Sequence, residues 1–164
     1  VLLIKKLKAF DEPIDGIIYS MTLALGFATI ENIGYMTRFG TEIIIFRSIS
    51  AVPLHLGCAA IWGIGIVKTK FSVSNKKYFT NSIPYILIAA TIHTIYNSSC
   101  YFIEPGYALL ISMSIAFGLI WMAHKSMRTY LKKSPWVPAG FCRNCGNLNS
   151  STTLFCSKCK YPLN

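Results

Sequence analysis

Four apolar stretches, at about 16–36, 43–67, 80–103 and 105–124, are each long enough to cross a bilayer, which takes roughly 20 apolar residues. This constrains the fold more than any other feature. Inside hydrocarbon each backbone polar group must find its partner within the segment, so such stretches form α-helices. Composition agrees: 53% of the 164 residues are hydrophobic and 13% charged, against about 25% charged in an ordinary soluble domain. The expected fold is an all-α polytopic membrane protein of about four transmembrane helices, with a small β-hairpin metal ribbon behind it. The domains are 1–133 for the membrane part, 134–140 for a linker and 141–164 for the ribbon.

The net charge of +10 invites a nucleic-acid reading, but the positions of the charges argue for topology. Lys5, Lys6 and Lys8 precede the first stretch. Lys68, Lys70, Lys76 and Lys77 separate the second from the third. Lys125, Arg128, Lys132 and Lys133 follow the fourth, and Arg143, Lys158 and Lys160 lie in the tail. With four crossings all 14 of these fall on one side. Lys and Arg are retained in the cytoplasm, so both ends and the 68–79 loop are expected there, in contact with lipid headgroups. The chain starts at Val1 with Leu2, Leu3 and Ile4, which read as the end of a further hydrophobic segment, so a truncated N-terminus is expected.

The tail carries Cys142-Arg143-Asn144-Cys145-Gly146 and Cys156-Ser157-Lys158-Cys159, two C-x-x-C pairs with ten residues between them. Four thiolates at this spacing can enclose a tetrahedral Zn²⁺. Gly146 permits a tight turn after the first pair. Two disulfides are the competing reading, disfavoured on a reducing side of the membrane. So short a segment has little core, and metal binding would supply most of its folding energy. A closed Cys₄ site leaves no open position for substrate, so its role is structural: to present a surface to a cytoplasmic protein partner or to cap the last helix. The linker Ser134-Pro135-Trp136-Val137-Pro138-Ala139-Gly140 stops that helix.

Ionisable groups inside a span are costly and mark function by default. Phe27 and Glu31 are four apart and share a helix face, with Asn32 beside them. Arg47 and His55 are eight apart, and His93 and Asn97 four. At about 1.5 Å per residue, the two histidines fall near mid-span, and Glu31, Arg47 and Asn97 toward the outer side. Three helices thus carry polar groups at similar depth, as one buried site requires. Each also has a plainer reading: a protonated Glu31, interhelical hydrogen bonds for His55, His93 and Asn97, and an Arg47 that reaches the outer surface. Cys58 and Cys100 read as small buried residues. At the start of the first span, Asp11 is placed to cap the helix, Pro13 suits its first turn and Asp15 favours its dipole.

Asp11-Glu12-Pro13-Ile14-Asp15-Gly16 followed by Gly26-Phe27-Ala28-Thr29-Ile30-Glu31-Asn32, then Arg47, His55 with Gly63 downstream, and His93-Thr94-Ile95-Tyr96-Asn97, resemble the PrsW family of intramembrane proteases. That family lies within the group of CAAX-prenyl and bacteriocin-processing proteases. The resemblance covers about residues 9–100. The family's Glu-Glu pair followed by Lys, expected ahead of Asp11, is absent from the chain. The resemblance implies an intramembrane peptidase of a bacterial or archaeal plasma membrane. It would cut a single-span membrane protein near the outer half of the bilayer, in regulated processing such as release of a signalling factor. Expected catalytic residues are Glu31, His55, His93 and Asn97, with Phe27, Asn32 and Arg47 toward substrate. Glu31 would act as general base or partner of the absent glutamates, His93 and Asn97 as oxyanion donors, and His55 as a donor or holder of water. A His₂Glu metal set of Glu31, His55 and His93 stays open beside a metal-free mechanism. The latter is preferred because no H-E-x-x-H helix is present. The competing functions are a catalytically inactive scaffold that binds partners through its zinc ribbon, and a proton pathway or small transporter.

Overall fold

A computed structural model describes residues 8–71 and 82–163. Lys5, Lys6, Lys76, Lys77 and the apolar start at Val1 lie outside the described residues. The elements are α1 (Asp15–Phe39), α2 (Ile43–Ile49), α3 (Ala51–Lys70), α4 (Ile83–Phe102) and α5 (Pro105–Leu131). Three helical segments, Asp15–Phe39, Ile43–Lys70 and Gly106–Leu131, are long and apolar enough to cross a membrane. The expected stretch at 80–103 forms α4, a helix of 20 residues that falls outside that set; His93, Thr94, Asn97, Ser98 and Ser99 dilute its apolarity.

Helix ends follow local chemistry. The expected second span is interrupted at Ser50, which separates α2 from α3. Pro53 explains the break, because it has no N–H for the Ile49 carbonyl and its ring presses on that carbonyl. Ser50 secures the joint by donating from Oγ to the Phe46 carbonyl at 2.8 Å and by pairing with the Tyr96 hydroxyl at 3.1 Å. α5 runs seven residues beyond the expected end at 124, up to the approach to Pro135, whose ring disfavours helix in the residue before it. Asp11 does not cap α1. Asp15, already inside the helix, reaches back and accepts from the Asp11 and Glu12 amides at 3.2 and 3.1 Å.

α3 is the axis of the bundle and packs on α1, α2, α4 and α5. Its membrane-capable segment is 67% buried, against 28% for those of α1 and α5. The outer helices instead expose Leu23, Ile30, Ile33, Leu87, Leu110 and Phe117, surface that hydrocarbon solvates and water would not. α1 approaches α3 most closely at Gly63. A Cβ there would meet Ser20 Oγ at 2.2 Å and the Gly16 carbonyl at 2.6 Å. Gly63→Val must therefore push two backbones apart, and we expect a loss of about 1–3 kcal/mol in reversible unfolding from mixed micelles. At Gly57 the added carbon would meet Leu119 Cβ at 2.3 Å, an atom fixed to the α5 backbone that no rotamer change can move, so Gly57→Ala must likewise push α3 and α5 apart.

The tail departs from the expected β-hairpin ribbon. Among the described residues it has no regular strand, only the isolated bridges Phe141↔Leu148 and Phe155↔Pro162. Each bridge closes one C-x-x-C turn upon itself, so the pairs form two separate knuckles. The two are built alike. The Cys142 and Cys156 amides donate to the carbonyls of Asn147 and Tyr161, and the Gly146 and Lys160 amides donate back to the carbonyls of Cys142 and Cys156. Gly146 and Lys160 occupy the same place and share positive φ, 78° and 59°. Only glycine adopts that region without strain. Lys160→Gly should accordingly strengthen the tail by up to about 1 kcal/mol, read as slower loss of metal to a competing chelator.

Candidate active site and metal-binding tail

Glu31 projects from α1 into the corner formed by α2 and α3. Its Oε2 accepts from Arg47 Nη2 at 2.5 Å and lies 2.9 Å from His55 Nε2. Arg47 Nε donates to Asn32 Oδ1 at 2.6 Å, and the guanidinium stacks 3.7 Å over the Tyr35 ring. Arg47, Asn32 and His55 are buried, while Glu31 keeps 27% of its side chain exposed. The Pro53 break contributes to this geometry, since Arg47 on the short α2 and His55 on α3 both reach the same carboxylate oxygen. The Tyr96–Ser50 bond ties α4 to that joint.

His93, half-buried on α4, faces His55 with ring centroids 5.0 Å apart, and Phe27 meets His55 edge-on at 5.4 Å. These three rings line the head of a groove of about 460 Å³. The groove continues between α1, α3 and α4 past Ala24, Ala59, Trp62 and Ala89. Phe27 is 57% exposed at its rim. Asn97 is exposed one turn beyond His93 and has no hydrogen-bond partner among the described residues. The sequence-derived set is thus largely brought together: Glu31, Asn32, Arg47, His55, His93 and Phe27 form one continuous cluster, and Asn97 borders it. Tyr35 and the Ser50–Tyr96 pair were not foreseen. Tyr35 was legible, being four residues beyond Glu31 and therefore on its face. Cys58 is buried as expected. Cys100 is exposed beside Ser112.

In the tail the four Sγ atoms all lie within 4.8 Å of one another. The Cys142–Cys159 and Cys145–Cys156 pairs are 3.5 and 3.6 Å apart. Disulfide sulfurs sit at about 2.05 Å. Tetrahedral thiolates at about 2.3 Å from a metal lie about 3.8 Å from each other. The four cysteines are therefore placed to hold a metal ion. Their ionisation points the same way. Burial opposes a charge on Cys156, yet the backbone N–H groups of Cys159 and Lys158 bonded to its sulfur bring its pKa from 9.0 to about 6. The Tyr161 N–H lowers Cys159. The Asn147 N–H favours a Cys145 thiolate too, but burial and the three neighbouring sulfurs outweigh it and raise that thiol to about 11. A thiolate at Cys145 needs a cation beside it.

The same test goes against a metal in the membrane part. Among the described residues Glu31, His55 and His93 do not bring three donor atoms to one point. The carboxylate oxygen beside His55, Glu31 Oε2, already faces a guanidinium. So arranged, the three do not fit a metal ion.

A helical membrane protein with a buried acid–base cluster open to a groove defines the class. The chain matches the sequence model of the PrsW family intramembrane metalloproteases over residues 1–123, and it belongs to that family. It is 44% identical over 70 residues to protease PrsW of Geobacillus kaustophilus (strain HTA426), covering 43% of this chain and 31% of that protein. With protease PrsW of Clostridioides difficile (strain 630) the identity is 37% over 96 residues, covering 56% and 40%. With protease PrsW of Bacillus subtilis (strain 168) it is 34% over 90 residues, covering 54% and 40%. The chain spans less than half the length of these three relatives. The cysteine tail lies beyond the residues matched to the family. No solved structure matches the chain significantly.

Proposed function

We propose that this chain carries the active site of an intramembrane peptidase that hydrolyses a peptide bond of a single-span membrane protein in the outer half of the bilayer. The observation that carries the reading is Glu31, held by Arg47 and by His55, whose ring in turn lines the head of an apolar groove. Glu31 Oε2 is engaged by both neighbours, and Oε1 has no partner among the described residues. Oε1 is the atom that takes the proton from the attacking water. Arg47 and Asn32 fix the carboxylate and border the substrate path, and Phe27 lies against the substrate. His55 holds the water. His93, with Asn97 one turn further on, donates to the oxyanion that forms on the scissile carbonyl. Asn97 is exposed, as suits a group that meets a substrate arriving from the lipid. We derive no step through a core metal.

In the full reading α4 also crosses the bilayer, its 20 residues spanning about 30 Å, so the chain crosses four times. The basic end, where Phe10, Ile66, Val67 and Tyr130 pack together, is cytoplasmic, as the Lys and Arg bias favours. The tail sits there and holds Zn²⁺, the ion best suited to four thiolates in a closed tetrahedron. The host is a bacterial or archaeal plasma membrane, and the cleavage serves regulated signalling.

The test is chelation of a variant whose tail site is disabled by Cys142→Ser and Cys156→Ser. Its cleavage of membrane substrates should change by less than about twofold on chelation, because no metal takes part in the core chemistry. Loss of cleavage restored by added zinc would instead establish a catalytic metal.

A further inference from the structure

Arg143 lies between the ligands Cys142 and Cys145, but its guanidinium points away from the sulfurs. Its Nη1 donates to the Lys132 carbonyl at 2.9 Å and to the Ser134 carbonyl at 2.8 Å. These belong to the end of α5, where helical carbonyls have no partner within the helix. Lys132 returns the contact by donating from Nζ to the Asn144 carbonyl inside the same knuckle. Ser134 is buried and donates from Oγ to Glu12 Oε2. Glu12 leads into α1, and its amide is fixed to Asp15 in the first turn. A continuous series of bonds therefore runs from the first cysteine pair through the end of α5 to the start of α1.

We infer that the tail is a metal-dependent clamp, in which a closed Cys₄ site holds Arg143 in place to lock the end of α5 onto the start of α1. The inference rests on the reading that the tail binds a soft divalent cation. Without the ion the knuckle has too little core to keep its shape, since metal binding supplies the folding energy of so small a site. Arg143 then loses its fixed approach to the Lys132 and Ser134 carbonyls. The two helix ends become free to separate by local opening. Arg143 acts here as a positioning residue. It touches neither metal nor substrate, and Glu31 is about 24 Å further along α1.

The experiment is hydrogen exchange by mass spectrometry on the full chain in lipid nanodiscs, with metal content measured on the same samples. Zinc-loaded protein should show slow exchange at residues 11–18 and 131–136. Removing zinc should speed both segments by about tenfold or more, with the middle of α3 unchanged. Arg143→Ala should keep its zinc and still speed both segments. Ser134→Ala should keep its zinc, leave the Arg143 contacts to the backbone intact, and speed residues 11–18, with the Trp136 amide, which loses Ser134 Oγ as its acceptor, the one expected change within 131–136. Zinc that binds and leaves without altering either segment, or an Arg143→Ala chain that exchanges as the parent does, would overturn the clamp while leaving the metal site standing. A parent chain that takes up no zinc would overturn the metal reading and the clamp with it.

Discussion

Glu31→Gln is expected to lower cleavage of membrane substrates by about 10²–10⁴-fold, the range a positioned general base contributes. Glutamine has the same shape and keeps a carbonyl oxygen for Arg47 and His55, but it cannot take a proton from water. Arg47 loses its counter-charge in this variant, yet it retains Asn32 at 2.6 Å and the Tyr35 face. The helices should therefore stay assembled with some loss of stability, as expected when one partner of a buried pair is neutralised. Two further variants separate chemistry from packing. His93→Ala should cost about 10²–10³-fold if it is an oxyanion donor. Thr94→Ala, on the exposed side of the same helix, where its hydroxyl only bonds back to Ala90, should cost nothing measurable. Cleavage is to be read at equal abundance in membranes, with thermal unfolding measured alongside.

Cys156→Ser is expected to abolish metal binding and unfold the tail, leaving the helical bundle in place. Apparent metal-binding energies of structural thiolate sites reach about 10–16 kcal/mol, far more than a tail with exposed Leu148, Leu154 and Phe155 can draw from burial. Elemental analysis should find the metal gone, and mild proteolysis should remove residues beyond Gly140. Ser151→Ala, on the exposed stretch between the knuckles, should retain both metal and resistance. The pH dependence has a definite sign. Thiols bind metal as thiolates, so protons compete with the ion. The folded-state pKa of Cys156 is lowered from 9.0 to about 6. The stability tied to its thiolate is therefore full above about pH 9 and is lost as pH falls through about 6. Acidification below that point should release the ion, and neutral pH should retain it.

Most of the helical order was legible because hydrophobic length reports directly on membrane crossing. The starts and stops also followed visible signals, with Pro84, Pro105 and Pro135 beside helix ends and Gly40 at a positive φ of 86°. The break at Ser50 was missed, although Pro53 announces it, because an apolar run reads as one span when length alone is weighed. The site was legible through the four-residue spacing of Phe27, Glu31 and Tyr35 and of His93 and Asn97. Spacing within helices does not tell which helices meet. That Glu31 reaches Arg47 and His55 at one oxygen depends on the close α1–α3 contact at Gly16 and Gly63. The four cysteines were found from spacing alone. The knuckle form and the repeated left-handed residue at Lys160 were not, because they arise from backbone hydrogen bonds that side-chain identity does not encode, nor was the grip of Arg143 on α5, because its guanidinium meets carbonyls that only the fold brings near.

Peptide cleavage at Glu31 can be tested directly while the substrate is still unidentified. Protein termini would be mapped across the membrane fraction of host cells carrying either the parent gene or Glu31→Gln, with both proteins at equal abundance. Hydrolysis at this site predicts at least one new terminus, within the outer half of another protein's transmembrane span, that is present with the parent and absent with the variant. Identical sets of membrane-embedded termini in the two strains would contradict the assignment of Glu31 and its neighbours as a peptide-cleaving site.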